Sequence, residues 1–299
     1  MATFSAIYDE VAEKLHNSEA DMITRIKEWV NLAQKDVATS AWWPWLLKEQ
    51  QIVIDAAKTT GTASVTNGDE TVDFTDTQFS AAIESGQWYF QAGTDADWYI
   101  IDSRTDDDTI ELLQPYQGTT DGTATFKIWH ILYSMPSDMY AVASIRQQVS
   151  PYVLQYAPYK DIDWMDPAND QSGTNTYLYT QFGVDSSGYK QLMFFPPRIT
   201  AGIYTMKYYK QVTDLSADAD ISIIPASDHE ILIYGACERG FNYLDDPQNA
   251  QSNKQDYLIK LQFMRKAYLT GPDQGVVIGK SARGPRDLLS RLDLPVSSS

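Results

Sequence analysis

Between residues 227 and 269 the chain runs as two helical repeats broken once, at Asp245-Asp246-Pro247, and this limits the folds open to it more than any other stretch. Ser227 stands where an N-cap belongs and Glu230 follows three residues on, a pairing that predicts a reciprocal capping box. Ile231, Tyr234, Phe241 and Leu244 then recur at helical spacing as one apolar stripe, with Arg239 and Asn242 on the wet side. Asp246 is the expected cap of a second helix that starts at Pro247, where a missing N–H costs nothing. Its stripe is Tyr257, Leu261, Met264 and Tyr268, and Gly271-Pro272 stops it. Burying a large apolar side chain contributes roughly 1.5 to 3 kcal/mol, and two stripes facing only each other leave much of that unused. The rest of the chain has to cover them.

Cover is expected from the N-terminus. Residues 3–16 carry Ile7, Val11 and Leu15 four apart. The next helix, capped by Asn17 or Ser18, shows Met22, Ile26, Trp29, Ala33 and Val37 on one face and Arg25, Glu28, Gln34 and Lys35 on the other. It ends where Trp42, Trp43 and Trp45 crowd around Pro44, which disfavours helical geometry before it. Three tryptophans so placed are most simply an anchor plugging one end of a helix bundle; a carbohydrate platform is the functional alternative.

Near Gln50 the hydrophobic period changes from 3.6 to two. Short β-type runs at 62–66, 87–90, 98–101, 109–113 and 123–128 are separated by turn signals such as Asn67-Gly68 and the Asp106-Asp107-Asp108 run. They predict a compact antiparallel barrel or sandwich of about six strands. Beyond it, 139–145 alternates like a strand, 150–176 reads as a long loop or extended arm, and strands are expected at 189–195 and 202–209 before a linker over 214–225. The fold class is α+β: a helical bundle of N-terminal helices and a C-terminal helix hairpin, with an inserted small antiparallel β-barrel or sandwich and an extended C-terminal arm. The expected parts are 1–50, bundle helices; 51–130, the β insert; 131–225, a β-rich middle region; 226–272, the hairpin; and 273–299, the arm.

Charge is unevenly spread. The net is −17, and residues 55–125 hold fourteen acidic side chains against Lys58 and Arg104, a net of −12. Such a surface argues against tight DNA binding, which depends on lysine and arginine displacing counterions from phosphates. A lone cysteine, Cys237, permits no intramolecular disulfide and is expected as a small buried side chain in a reducing compartment. The start lacks the basic and apolar regions of a signal peptide, and no stretch approaches the ~20 apolar residues of a membrane span, so a soluble protein is expected.

Catalytic constellations are missing from the sequence. His16, His130 and His229 have no metal-ligand partner at useful spacing, and His229 reads as an ordinary solvated residue of a first helical turn. Residues 275–281 have three residues between the glycines where a phosphate loop has four. The Asp106-Asp107-Asp108 run lacks the alternate spacing of a calcium loop and reads as a hairpin turn. No enzyme activity, cofactor or metal is expected.

An ordered set of features resembles the head-to-tail adaptor (connector, neck) proteins of tailed bacteriophages. These are the helix ending in the Trp-rich segment at 26–45, a Thr/Gly-rich β insert, Met135-Pro136-Ser137-Asp138, LMFFPP at 192–197, Tyr208-Tyr209-Lys210, and Pro225 with the His229-Glu230-Ile231 helix running into Gly235-Ala236. The resemblance implies a structural virion protein, assembled in the bacterial host cytoplasm. It implies a homo-oligomeric ring, commonly twelve-fold, between the portal protein and a tail or nozzle protein, through which double-stranded DNA passes. It also implies C-terminal tails that reach into the portal. Here the tail carries four basic and three acidic residues, and Arg283, Arg286, Leu288, Leu289, Arg291 and Leu292 are the candidate portal-binding residues. Apolar side chains outside the two hairpin stripes, Ile233, Tyr243 and Phe263, are the candidate subunit interface. The alternative function is a carbohydrate- or host-binding virion module built on Trp88, Trp98 and Tyr99 of the insert.

Overall fold

The structure, a computed structural model, describes residues 2–93, 95, 97–148, 152–167 and 172–269. The candidate arm at 273–299, with its arginines and leucines, lies outside the described residues, as does the 275–281 segment. The fold is mixed α/β, with five helices among the described residues.

Two helices open the chain, α1 (Phe4–Lys14) and α2 (Ala20–Thr39). The strands that follow are β1 (Leu47–Ile54), β2 (Ala63–Val65), β3 (Thr71–Phe74), β4 (Trp88–Ala92), β5 (Tyr99–Arg104), β6 (Thr109–Leu112) and β7 (Asp121–Ala124). Then come β8 (Phe126–His130), β9 (Leu132–Ser134), β10 (Met139–Gln147), β11 (Gln155–Tyr156), the short helix α3 (Tyr159–Met165), β12 (Leu178–Val184), β13 (Lys190–Phe195) and β14 (Gly202–Lys210). Helices α4 (Glu230–Tyr243) and α5 (Pro247–Leu269) complete the described chain. The elements group into two compact units, one of Met1–Trp45 with Asp214–Ser299 and one of Leu46–Thr213.

In the first unit α4 packs on α5, α2 and α1. Gly235 and Gly240 permit the close approach: a Cβ at Gly235 would stand 2.8 Å from the Ala33 Cβ, and one at Gly240 would run into Leu15. The α5 stripe is as expected, with Leu261 and Met264 buried, Tyr257 and Tyr268 half-buried, and Asp246 accepting from the Asn249 N–H at 3.1 Å. The α4 stripe is not. Ile231, Leu232, Ile233, Gly235, Ala236, Cys237 and Gly240 are buried while Leu244 is exposed, because a helix enclosed by three neighbours has no single apolar face. Burial raises the Cys237 thiol to about 11.

The capping box is also absent. A 3-10 turn, Ala226–Asp228, precedes α4, and the Ser227 hydroxyl turns to the Asp228 carboxylate instead of a backbone N–H. His229 is buried, not solvated, and its Nε2 bonds the Ile224 carbonyl at 2.9 Å. Gln34, expected on the polar face of α2, is 1% exposed and accepts the Ser222 hydroxyl at 2.7 Å. The linker is thereby pinned to the helices, and Asn31 reinforces it by exchanging two hydrogen bonds with the Leu215 backbone.

Asp228 ties the start of α4 to α5. It accepts the Tyr268 hydroxyl at 2.7 Å and pairs with Lys260 at 3.2 Å. Burial pushes its carboxyl up, and the hydrogen bonds from Tyr268, Lys260 and Ser227 more than offset this, leaving it below the usual 3.8. A depressed folded value contributes stability that is fully present above the unfolded value and is lost as pH falls through the folded one. Parent and Asp228→Asn should therefore differ in urea stability at neutral pH, and the gap should close as pH falls below about 3.8. A gap independent of pH would remove the carboxylate from the account.

The second unit holds three sheets. β1, β14 and β10 form an antiparallel trio, and β11-β12-β13-β9 a four-stranded sheet whose β11–β12 pair is parallel. β7-β2-β3-β6-β5-β4-β8 form an antiparallel sheet that curls into a half-barrel. It has seven strands because β3 is added and the 123–128 run divides at Thr125 into β7 and β8. Its core includes Val72, Phe74, Trp88, Phe90, Ile101, Ile110, Phe126 and Ile128. The segment read as a loop or arm at 150–176 contains β11 and α3, with Leu154 and Ile162 buried.

Candidate interaction surfaces

Three of the sequence-chosen surfaces change once side chains are placed. Ile233 is 5% exposed inside its own unit, so it is removed from the candidate interface; it lies among the α4 residues packed all round. Tyr243 and Phe263 remain open at 53% and 64%. The Tyr243 ring rests against Trp29 at 5.8 Å and beneath the Arg25 guanidinium at 4.8 Å, which fixes its orientation. Phe263 shares the outer face of α5 with Ile259, 51% exposed.

The tryptophan anchor consists of two rings rather than three. Trp43 is fully buried, stacks on Trp45 at 4.5 Å and donates its indole N–H to the Val37 carbonyl at 2.6 Å, and Trp45 meets Tyr268 edge-on at 4.8 Å. Trp42 is 57% exposed. The proposed sugar-binding trio also separates. Trp88 and Tyr99 belong to the half-barrel core, since alternation along β4 and β5 turns them inward, and only Trp98 of the three is partly open.

Two concavities among the described residues of the second unit bear on function. One is a cleft of about 120 Å³ walled by Tyr89, Trp98, Trp129, Met193, Phe195 and Pro197, with Gln91, Lys127 and Asp166 as its polar members. The sequence concealed it because its walls come from β4, β8 and β13 and from the loop beside β5, which only the fold brings together. Tyr89 was legible as part of a strand, but not as its outward face.

The other is an open groove of about 830 Å³ that includes Asp55, Lys58, Gln78, Phe79, Trp88 and His130. His130 is sandwiched between Trp88 at 4.0 Å and Tyr133 at 3.9 Å, and its Nδ1 meets the Asp55 carboxylate at 2.6 Å. With the Tyr133 hydroxyl accepting the Asp55 N–H at 2.9 Å, this cluster fastens the end of β8 to the end of β1. Lys58 lies over the Phe79 and Trp88 rings and donates to the Gln78 carbonyl; burial lowers its ammonium, against the pull of Asp55. These groups are engaged with one another as braces, so the groove reads as a structural junction.

The Asp106-Asp107-Asp108 run is the β5–β6 turn, closed by Arg104, whose Nε donates to the Asp106 carbonyl and whose Nη2 pairs with Asp107. No cluster of three or more His, Cys, Asp or Glu suited to a metal occurs among the described residues, and no helix there is long and apolar enough to cross a membrane.

The family model for the SU10 adaptor protein matches residues 118–274, just over half of the chain. The chain belongs to that family, one of phage structural adaptor proteins rather than enzymes, and is a virion component that interacts with other virion components. No curated protein matches it in sequence.

Proposed function

We propose that the chain is a head-to-tail adaptor whose copies form a ring between the portal and the tail or nozzle, commonly twelve-fold, through which double-stranded DNA passes. The family match over 118–274 carries this reading. In support, α4 packs against α1, α2 and α5, and Tyr243 and Phe263 stay open on that unit, as subunit contacts require. The net charge of −17 suits a channel that lets DNA slide without gripping it. Assembly takes place in the host cytoplasm, and the arm at 273–299, less acidic than the body, reaches the portal through Arg283, Arg286 and Arg291 with Leu288, Leu289 and Leu292.

Mass measurement of the purified protein with and without portal rings tests this. The full chain should load onto portal rings as a ring of its own. A chain ending at residue 272 should keep its circular dichroism spectrum and fail to attach. Retained attachment by the shortened chain would sink the arm assignment, and a full chain that ignores portal rings would sink the adaptor ring itself.

A further inference from the structure

We propose that Phe263, on the outer face of α5 beside Ile259, seats in the aromatic cleft beside α3 on a second copy of this chain. The inference rests on the adaptor-ring reading and names the contact that would build the ring. The two large side chains are four residues apart on the helix side opposite Leu261 and Met264, so their own unit cannot bury them. Ser252, Gln255 and Gln262 beside them are uncharged, and Asp256 and Lys266 flank the pair with one charge of each sign.

The cleft has the size and lining to receive Phe263. At about 120 Å³ it is smaller than the ~300–1,000 Å³ of small-molecule sites, which favours a single side chain as occupant. Most of its walls are aromatic or apolar, which suits an interface anchor, with Gln91, Lys127 and Asp166 as the polar exceptions. Helix α3 flanks it: Ile162 packs in the same cluster as Trp129, Met193 and Phe195, and Asp166 lines the cleft. On α3, Trp164 is 87% exposed, which leaves a second large apolar surface for the incoming helix.

Charge selects this pairing over others. α3 carries Asp161 and Asp163 against one Lys160, whereas α5 has no acidic residue after Asp256 and ends with Arg265 and Lys266. In a chain with 40 acidic and 23 basic residues, most faces of two copies repel. Arg265 donates to the Ser40 carbonyl of its own unit, and Lys266 stands three residues after Phe263 on the outer face. Knob and socket are different surfaces, so each copy offers both. Such a heterologous contact repeats from copy to copy and ends only when a ring closes.

The test is photo-cross-linking of the full chain carrying benzoylphenylalanine at position 263, assembled alone at high concentration and on portal rings. Cross-links between copies should map to peptides that hold Tyr89, Trp98, Trp129 or 159–166. Phe263→Asp should fold as the parent does and reduce the assembled fraction at least tenfold. Lys266→Glu should weaken assembly, and Asp163→Lys should restore it. Rings from Phe263→Asp equal to the parent's, or cross-links that fall elsewhere, would overturn this contact while leaving the adaptor ring standing. A parent chain that never assembles overturns both.

Discussion

Trp43→Ala should cost about 3–5 kcal/mol of stability, the range for deleting a fully buried large aromatic. The ring has no exposed surface and stacks on Trp45, which in turn meets Tyr268 on α5. Its removal leaves a cavity among rings that have little freedom to collapse, so the cavity cost adds to the lost transfer energy. The broken hydrogen bond contributes less. Val37 O also accepts the Ser40 N–H at 3.2 Å and the Ser40 hydroxyl at 2.7 Å, so no buried carbonyl is orphaned. Trp43→Phe should therefore recover part of the loss, since a benzene ring refills part of the indole's volume without the N–H. Trp42→Ala, one residue away at an exposed site, should change stability by about 0.5 kcal/mol or less. Urea melts of the three variants decide it, and equal losses at positions 42 and 43 would mean that the anchor is not built as described.

That contrast marks where the sequence can be read and where it cannot. Three tryptophans in four positions announce an anchor, but which rings turn inward is set by the 3-10 turn at Pro44–Leu46, which composition does not specify. α5 was legible because one face is covered and the other is open, so its period survives in Tyr257, Leu261, Met264 and Tyr268. α4 was not, because three helices surround it and Ile231, Leu232 and Ile233 are buried in succession. Gln34 and His229 were misplaced for a shared reason. Residue type predicts exposure only on average, and each has a buried hydrogen-bond partner far enough away in sequence, or awkward enough in geometry, to leave no local signal. In the β unit, alternation gave most strands of the half-barrel, while β1, β3, β9, β11 and β12 escaped notice. β3 is only four residues long, and β12 buries just Thr180 among its seven. The aromatic cleft was invisible for a topological reason, since its walls are strands far apart in the chain.

Gly235→Val should destabilise by about 2–3 kcal/mol, near the top of the range for overpacking. A Cβ at that position stands 2.8 Å from the Ala33 Cβ and 3.3 Å from the Tyr257 ring. Ala33 has no rotamer with which to retreat, so the backbones of α2 and α4 must part or one of them must shift. Helix propensity acts the other way but is smaller: leaving glycine recovers at most about 1 kcal/mol, and less for a β-branched side chain. Gly235→Ala isolates the clash, because it gains nearly all of the propensity and adds a single methyl. If close approach of the two helices is the constraint, Ala33→Gly should relieve Gly235→Ala, with the double variant more stable than the sum of the two single changes by at least about 0.5 kcal/mol. Additive losses would place the cost elsewhere, for instance at the Tyr257 ring, and would remove the small-residue contact as the reason α2 and α4 lie so close.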